Sequence, residues 1–389
     1  MTTLDSRTTA APATTWWREA SGAVADLGVL VPIAIALIVS NGLSTTAVLL
    51  PAGLLYLVVA WRYRVPVAVQ PLKAFGAAAI AAGAGADVIA AGALLMGAVF
   101  VVLGATGWLD RLGAVFPREV IRGVQLAVGL LFAKIAWGML TAPPATFTEQ
   151  WPPAITAAAC GVITIALLRW RRASALIVVT FGLGLAVWTT WGTGTLALGP
   201  TSIALPSITT ADLLLAATLL VLPQVPLTIT NSCLAPADAA PVYFPAEAPR
   251  VTPSRLALTL GGANLAVGAI SGMPLCHGAG GMSAHHAFGA RSWRAPAMIG
   301  TALTVLALLL GQDLALVLRA FPLSILAALL LVAGITHVRL LADLRGAFAW
   351  SVALAVGLAG ASSHLLAAVV LGLIAVAARS VLASRQPTT

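Results

Sequence analysis

Of 389 residues only 8% are charged while 60% are hydrophobic, and the mean hydropathy is +1.00. A soluble domain carries about 25% charged residues, so no soluble surface can be built from this chain and a polytopic membrane protein is the class that remains. The net charge of +9 does not argue for nucleic acid, because Lys and Arg stand singly between apolar runs and form no basic patch.

Residues 1–17 are small and polar with no apolar run, so they are expected to form a disordered cytosolic tail and not a cleavable signal. Beyond them the pattern predicts an all-α polytopic membrane protein of fourteen segments: 20–40, 44–61, 70–82, 87–107, 118–140, 151–169, 173–191, 209–233, 254–270, 277–288, 295–311, 313–337, 346–360 and 364–382. The third and tenth are too short to span. Each follows an extended Pro- or Gly-bearing stretch, PVAVQP and SGMPLC. Non-helical backbone at membrane depth is tolerated only inside protein or beside a cavity, and paired short helices of this kind mark the binding site of many transporters.

Charge tests the count. With the N-terminus inside and the segments alternating, every Lys and Arg outside the segments falls on the inner side, and both termini are cytoplasmic in the cell membrane. Lys73, Lys134 and Arg319 fall within segments. Lys134 and Arg319 read as helix-end or interhelical charges. The halves 18–191 and 209–382 match in segment length and in the place of the short segment, and seven is odd, so the second half runs inverted: a 7+7 inverted repeat.

In chain order, Asp26 is the first intramembrane charge. It carries a coupling proton, orients Lys73, or caps nearby backbone. Gln70-Pro71-Leu72-Lys73-Ala74 opens the first half-helix, and Pro71 suits the start of a helix. Lys73 opposes the helix dipole there. It reads as a counter-charge for an anion, or else as an ion-pair partner of Asp26 or a snorkelling side chain. Gln224, Thr228 and Asn231 form a polar stripe at i, i+4, i+7, which either bonds a neighbouring helix or lines a site. Cys276-His277-Gly278-Ala279-Gly280 opens the second half-helix, where small residues let backbone N–H groups approach a ligand. Two helix N-termini supply about half a charge each and Lys73 one, so the site sums to about +2 and suits a small dianion.

Several alternatives fail on residues. His277, His285 and His286 have no carboxylate between them and no HExxH spacing, so no metal is expected. Cys160, Cys233 and Cys276 are far apart with no CxxC, which argues against zinc or disulfides. An intramembrane enzyme would need GxSxG, HExxH or paired aspartates, and none is present. No cofactor is implied. Sulfate is one small dianion that suits this charge, and an anion channel is an alternative to a carrier.

At these motifs the sequence resembles the molybdate transporter family, a distant branch of the sulfate permeases. PVAVQPLKAFGA and SGMPLCHGAGGMSAHHAFGAR look like its paired signatures, LPQVPLTITNS like its eighth helix, and ADLG like its opening motif. The resemblance implies uptake of molybdate. It also implies a substrate-carrying core from 20–107 and 209–311, a gate from 118–191 and 313–382, and a homodimer through the gate helices in the lipid bilayer. A nucleobase carrier of this fold is expected to offer an acidic residue where Gln224 or Thr228 and His277 stand here. One departure is visible. The family continues after its paired glycines as Leu-Ala-x-Gln-Tyr-Arg, whereas Met282-Ser283-Ala284-His285-His286-Ala287 stand here. That leaves the helix start intact and bears on substrate preference and coupling.

Overall fold

The computed structural model describes residues 15–148, 151–170, 174–191 and 197–384. In chain order the helices are α1 (Trp16–Asn41, tightened at Val24–Asp26), α2 (Thr45–Tyr63), α3 (Lys73–Ala82), α4 (Ala86–Ala105), α5 (Trp108–Val115), α6 (Arg118–Thr141), α7 (Pro153–Arg169) and α8 (Ser174–Thr190). They continue as α9 (Thr210–Tyr243), α10 (Pro253–Ala269), α11 (Ala279–Ala287), α12 (Arg294–Leu309), α13 (Leu314–Arg319), α14 (Leu323–Val338), α15 (Ala347–Ala359) and α16 (Leu365–Ser384). Two short strands, β1 (Gln70–Pro71) and β2 (Leu275–Cys276), precede α3 and α11.

Among the described residues six helical stretches are long and apolar enough to cross a bilayer, and six more apolar helices are shorter. The tryptophans agree with a membrane setting. All eleven are exposed and lie at or near helix ends, from Trp16 and Trp17 at the start of α1 to Trp188 and Trp191 at the end of α8. An amphipathic indole is stable at the headgroup level, and Trp collects at both interfaces. The chain is a multi-pass membrane protein.

The fold corrects the sequence reading in four places. The expected tail, 1–17, lies outside the described residues up to 14, but Trp16 and Trp17 already belong to α1. The eighth segment does not stop at 233. It runs to Tyr243 through wide π turns at Ala216–Val221 and Ile229–Leu234. The second of these lies just before Pro236, whose ring would otherwise meet a carbonyl one turn back. The single segment expected at 313–337 is two helices, α13 and α14, parted at Ala320-Phe321-Pro322 because Pro322 cannot continue the helix. Arg319 therefore ends a helix, where its charge suits the dipole, and its Nε donates to the Thr146 carbonyl. Finally, α5 was not expected. It is a short helix bearing Asp110 and Arg111 that ends at Phe116-Pro117, and Phe321-Pro322 occupies the same place before α14.

Close helix contacts set the frame. α2 packs against α12 with Gly53 facing Gly300, and a Cβ at Gly300 would lie 2.8 Å from the Gly53 carbonyl oxygen. Backbone cannot yield there as a side chain would. Gly300→Val is therefore expected to destabilise the detergent-solubilised protein by about 1–3 kcal/mol or more, read as a lower midpoint of thermal unfolding. Gly138→Ala, where a Cβ meets nothing within 4 Å, is the matched control and should leave that midpoint in place or raise it.

Candidate functional site

Both extended stretches begin where a helix is stopped by a residue in left-handed conformation. Arg64 (φ 61°) ends α2 and Ser271 (φ 50°) follows α10, and among the described residues no other non-glycine has positive φ. From there residues 65–72 and 272–278 run extended and buried. Their backbone polar groups need partners in hydrocarbon, and they find them in each other. β1 and β2 pair antiparallel with Gln70 opposite Cys276 and Pro71 opposite Leu275, and the Leu72 amide donates to the Pro274 carbonyl (3.0 Å).

Three buried side chains complete this pairing. Asn264 of α10 accepts from the Leu275 amide (2.9 Å) and donates to the Leu275 carbonyl (2.8 Å), acting as a third strand. The His277 ring meets the Ala68 carbonyl through Nδ1 (3.0 Å) and the Thr259 hydroxyl through Nε2 (2.8 Å). With both nitrogens engaged, what His277 offers a ligand is its backbone. The Cys276 thiol lies 3.5 Å from the Pro71 carbonyl.

The pairing brings the starts of α3 and α11 together. First-turn amides have no helical acceptor, and those of Lys73, Ala74, Ala279 and Gly280 find no other acceptor among the described residues. The next amide along α3, that of Phe75, is taken by Gln224 Oε1 of α9 (2.9 Å), whose Nε2 donates to Thr228 (2.9 Å). Asn231 lies further along α9, and its Oδ1 is buried without a partner among the described residues.

Lys73 projects to the N-cap of the opposite helix. Its Nζ lies 3.2 Å from where a Cβ of Gly278 would sit, and 5.8 Å from the Phe132 ring centroid of α6. It is buried, and among the described residues its one hydrogen bond is to Gln70 Oε1 (2.8 Å). Among the described residues no carboxylate lies within ion-pair distance of it. The direct pair with Asp26 is not formed, because Gln70 stands between and its Nε2 donates to Asp26 Oδ1 (2.5 Å). An ammonium only donates, which fixes the amide orientation. Asp26 also accepts from Tyr56 Oη (2.5 Å) and lies 3.2 Å from His285 Nε2. The glycines of α11 follow from this crowding: a Cβ on Gly278 would overlap Gln70 Oε1, and one on Gly281 would overlap Asp26 Oδ1.

The structure thus gathers Gln70, Lys73, Ala74, Gln224, Thr228, Cys276, the backbone of His277, and Gly278, Ala279 and Gly280, with Asp26 behind them. Tyr56, Asn264, Phe132 and His285 were not foreseen as parts of it. Asn264 is a polar residue inside an apolar helix, a signal that was visible. The others are defined only by long-range contacts. Arg122, read as an inner-face arginine, is fully buried and holds Asp343 through Nε (2.9 Å) and Asp238 through Nη1, linking α6 to α9 and to the turn after α14. Among the described residues no group of three His, Cys, Asp or Glu is placed to hold a metal.

Asn264→Leu keeps the volume but strands the Leu275 amide and carbonyl in a dry interior. Each unsatisfied group costs about 1–3 kcal/mol, so this variant should melt well below wild type. An unchanged midpoint would show that the strand pair does not depend on Asn264.

A family model described as "Molybdate transporter of MFS superfamily" matches residues 18–132 and 216–336, which include every site residue above. Molybdate transporter 1 of Chlamydomonas reinhardtii is 31% identical over 432 residues, covering 82% of each chain. Molybdate transporter 2 of Arabidopsis thaliana is 30% identical over 394 residues, covering 89% of this chain and 84% of its own. Among solved structures, the transmembrane domain of a cyanobacterial bicarbonate transporter, BicA, superposes with TM-score 0.54 at 17% identity, covering 92% of this chain and 96% of that one. The murine anion transporter Slc26a9 in its inward-facing state gives 0.62 at 13% identity, covering 95% and 69%. At such identities the likeness is one of fold. With the family model matching more than half of the chain, and relatives near 30% identity over most of it, this protein belongs to the molybdate transporter family.

Proposed function

We propose that the chain carries a small tetrahedral oxyanion, molybdate first, across the cell membrane, and binds it between the N-termini of α3 and α11. The observation that carries this reading is Lys73: a buried ammonium at the meeting of two helix starts, bonded among the described residues only to an amide oxygen. A buried cation without a counter-ion is strongly disfavoured, and an anion lodged against it and the first-turn amides removes that penalty. The names of the curated relatives support molybdate.

The arrangement also supports the 7+7 inverted repeat and its division into two parts. The crossed strands, the left-handed residues before them, the mutual Gly53–Gly300 contact and the two Phe-Pro hinges each occur in both halves. In this reading α1–α4 and α9–α12 form a core that holds the whole anion cradle, and α6–α8 with α13–α16 form a gate. Phe132, on the gate side, lies against Gly280 and over Lys73 and closes the site. Alternating access then moves the core past the gate, with the N-terminus on the arginine-bearing cytoplasmic side.

Two measurements test this. Removing one partner of a buried charge interaction costs about 2–5 kcal/mol, so Lys73→Ala should weaken molybdate binding on the order of 100-fold while the protein still purifies folded. Unchanged affinity in a well-folded variant would place the site elsewhere, and competition by sulfate would rank the two oxyanions. For the motion, Ser283 of α11 and His337 of α14 are 2.8 Å apart across the proposed boundary. Cysteines at both positions, once cross-linked, should stop molybdate uptake into vesicles and leave binding in place. Full-rate uptake through cross-linked protein would argue for a fixed channel.

A further inference from the structure

His285 takes no part in the anion cradle, yet its hydrogen bonds require a proton. Its Nδ1 lies 2.7 Å from the Gly22 carbonyl, which can only accept, so Nδ1 carries a hydrogen. Its Nε2 lies 3.2 Å from Asp26 Oδ2. A neutral imidazole with its hydrogen on Nδ1 would turn a bare lone pair toward a carboxylate oxygen, two acceptors in contact in a dry interior. Both residues are buried, at 0% and 1% exposure, so water does not relieve the clash. The remaining donors are committed, Tyr56 to Oδ2 and Gln70 to Oδ1, and Gln70 cannot turn over because Lys73 holds its oxygen. The contact is satisfied only with a second proton between Nε2 and Oδ2. His277 differs: its Nε2 faces a hydroxyl that can donate, so one ring hydrogen suffices.

We infer that Asp26 and His285 together form a proton-binding site, linked through Gln70 to the anion at Lys73, so that one proton accompanies each oxyanion. The inference rests on the oxyanion reading above for its second half only. With the proton bound, the pair is neutral overall and the cradle keeps its charge of about +2. Without it, the pair carries a net negative charge two hydrogen bonds from Lys73, at 2.5 Å and 2.8 Å, and the cradle falls to about +1. Proton and dianion therefore raise each other's occupancy by the same factor.

The neighbouring ionisable groups do not supply this proton in its place. On α1, Glu19 is bound to the backbone of Arg291 and Ser292, and Arg18 packs against Gly289. α2 presents Tyr56, α3 Lys73, β2 Cys276, and α14 His337, whose Nδ1 is bound to Ser283. His286 of α11 stacks on Tyr243 of α9. Asp238 and Arg122 pair with each other. α8 brings no ionisable side chain to the pair, and α12 only the exposed Arg294.

The test has an arm that needs no anion. In protein labelled with ¹⁵N-histidine, near neutral pH, one imidazole should show both nitrogens protonated, and that signal should vanish in His285→Gln. Glutamine still donates to Asp26 but holds no extra proton. Five neutral imidazoles in the wild type, together with an ionised Asp26 carboxylate by ¹³C-aspartate labelling, would overturn the proton site. In the second arm, reconstituted wild-type protein should take up molybdate faster by about fivefold or more under an inward proton gradient, and His285→Gln should lose that response. Wild-type uptake that ignores the gradient, or a variant that responds in full, would overturn the coupling. Wild-type protein that shows the imidazolium but neither binds nor transports molybdate would overturn the oxyanion reading and the link to it, and would leave the proton site standing.

Discussion

Two pieces of extended backbone lie inside this membrane protein, and each is tolerable only because the other is there. Hydrocarbon offers nothing to a free N–H or C=O, so residues 65–72 and 272–278 must satisfy one another or be satisfied by side chains. The pairing of Gln70 with Cys276 and Pro71 with Leu275 does the first, and Asn264 with His277 does the second. Everything chemical follows from it. Because the strands pair just before the helices begin, two helix starts meet in the interior, and their first-turn amides, which have no helical acceptor, carry the positive end of each helix dipole.

Two buried cations show how the fold separates structure from chemistry. Arg122 is almost wholly buried, but it meets Asp343 and Asp238 and also bonds Gln125 (3.0 Å). Its charge is fully answered, and it ties three elements together. Lys73 is buried beside one amide oxygen and an aromatic ring. Leaving a lysine so placed is costly unless something else completes it. The nearest carboxylate, that of Asp26, is already occupied by Tyr56, Gln70 and His285.

Most of the fold was legible because apolar runs and their breakers are local signals. The two short helices followed from PVAVQP and SGMPLC, and the structure places extended backbone at both. The split at Pro322 was equally local and was passed over because the flanking residues are apolar enough to read as one span; Phe116-Pro117 offered the same cue. The length of α9 was hidden by Pro236 and Pro241, which read as an end, whereas wide turns let the helix continue. In the site, Lys73, Gln70, Gln224 and Thr228 were legible as polar residues at breaks or on one helix face. Tyr56 and His285 were not, because their roles rest on contacts 30 and 259 residues away in the chain. His285 stood out in a metal reading that its neighbours did not support and as a departure from a family signature, with no partner that periodicity could assign to it.

The positions of the two charge-bearing groups have a mechanical consequence. Asp26 is on α1, Gln70 and Lys73 on β1 and α3, and His285 and the glycine cradle on α11. All lie on helices of the proposed core, and none on those of the proposed gate. A charge carried alone through a low-dielectric barrier meets a desolvation penalty of several kcal/mol. A dianion against about +2 of fixed charge, with the nearby carboxylate neutralised by its own proton, presents a unit whose net charge is close to zero. Remove the proton and the same unit carries a net negative charge, and its passage becomes harder at the step where the anion is most enclosed. Under the proposed alternating access, the hydrogen bond between His285 and Asp26 therefore bears on movement as well as on binding, because it sets whether the loaded core would cross the membrane as a neutral body.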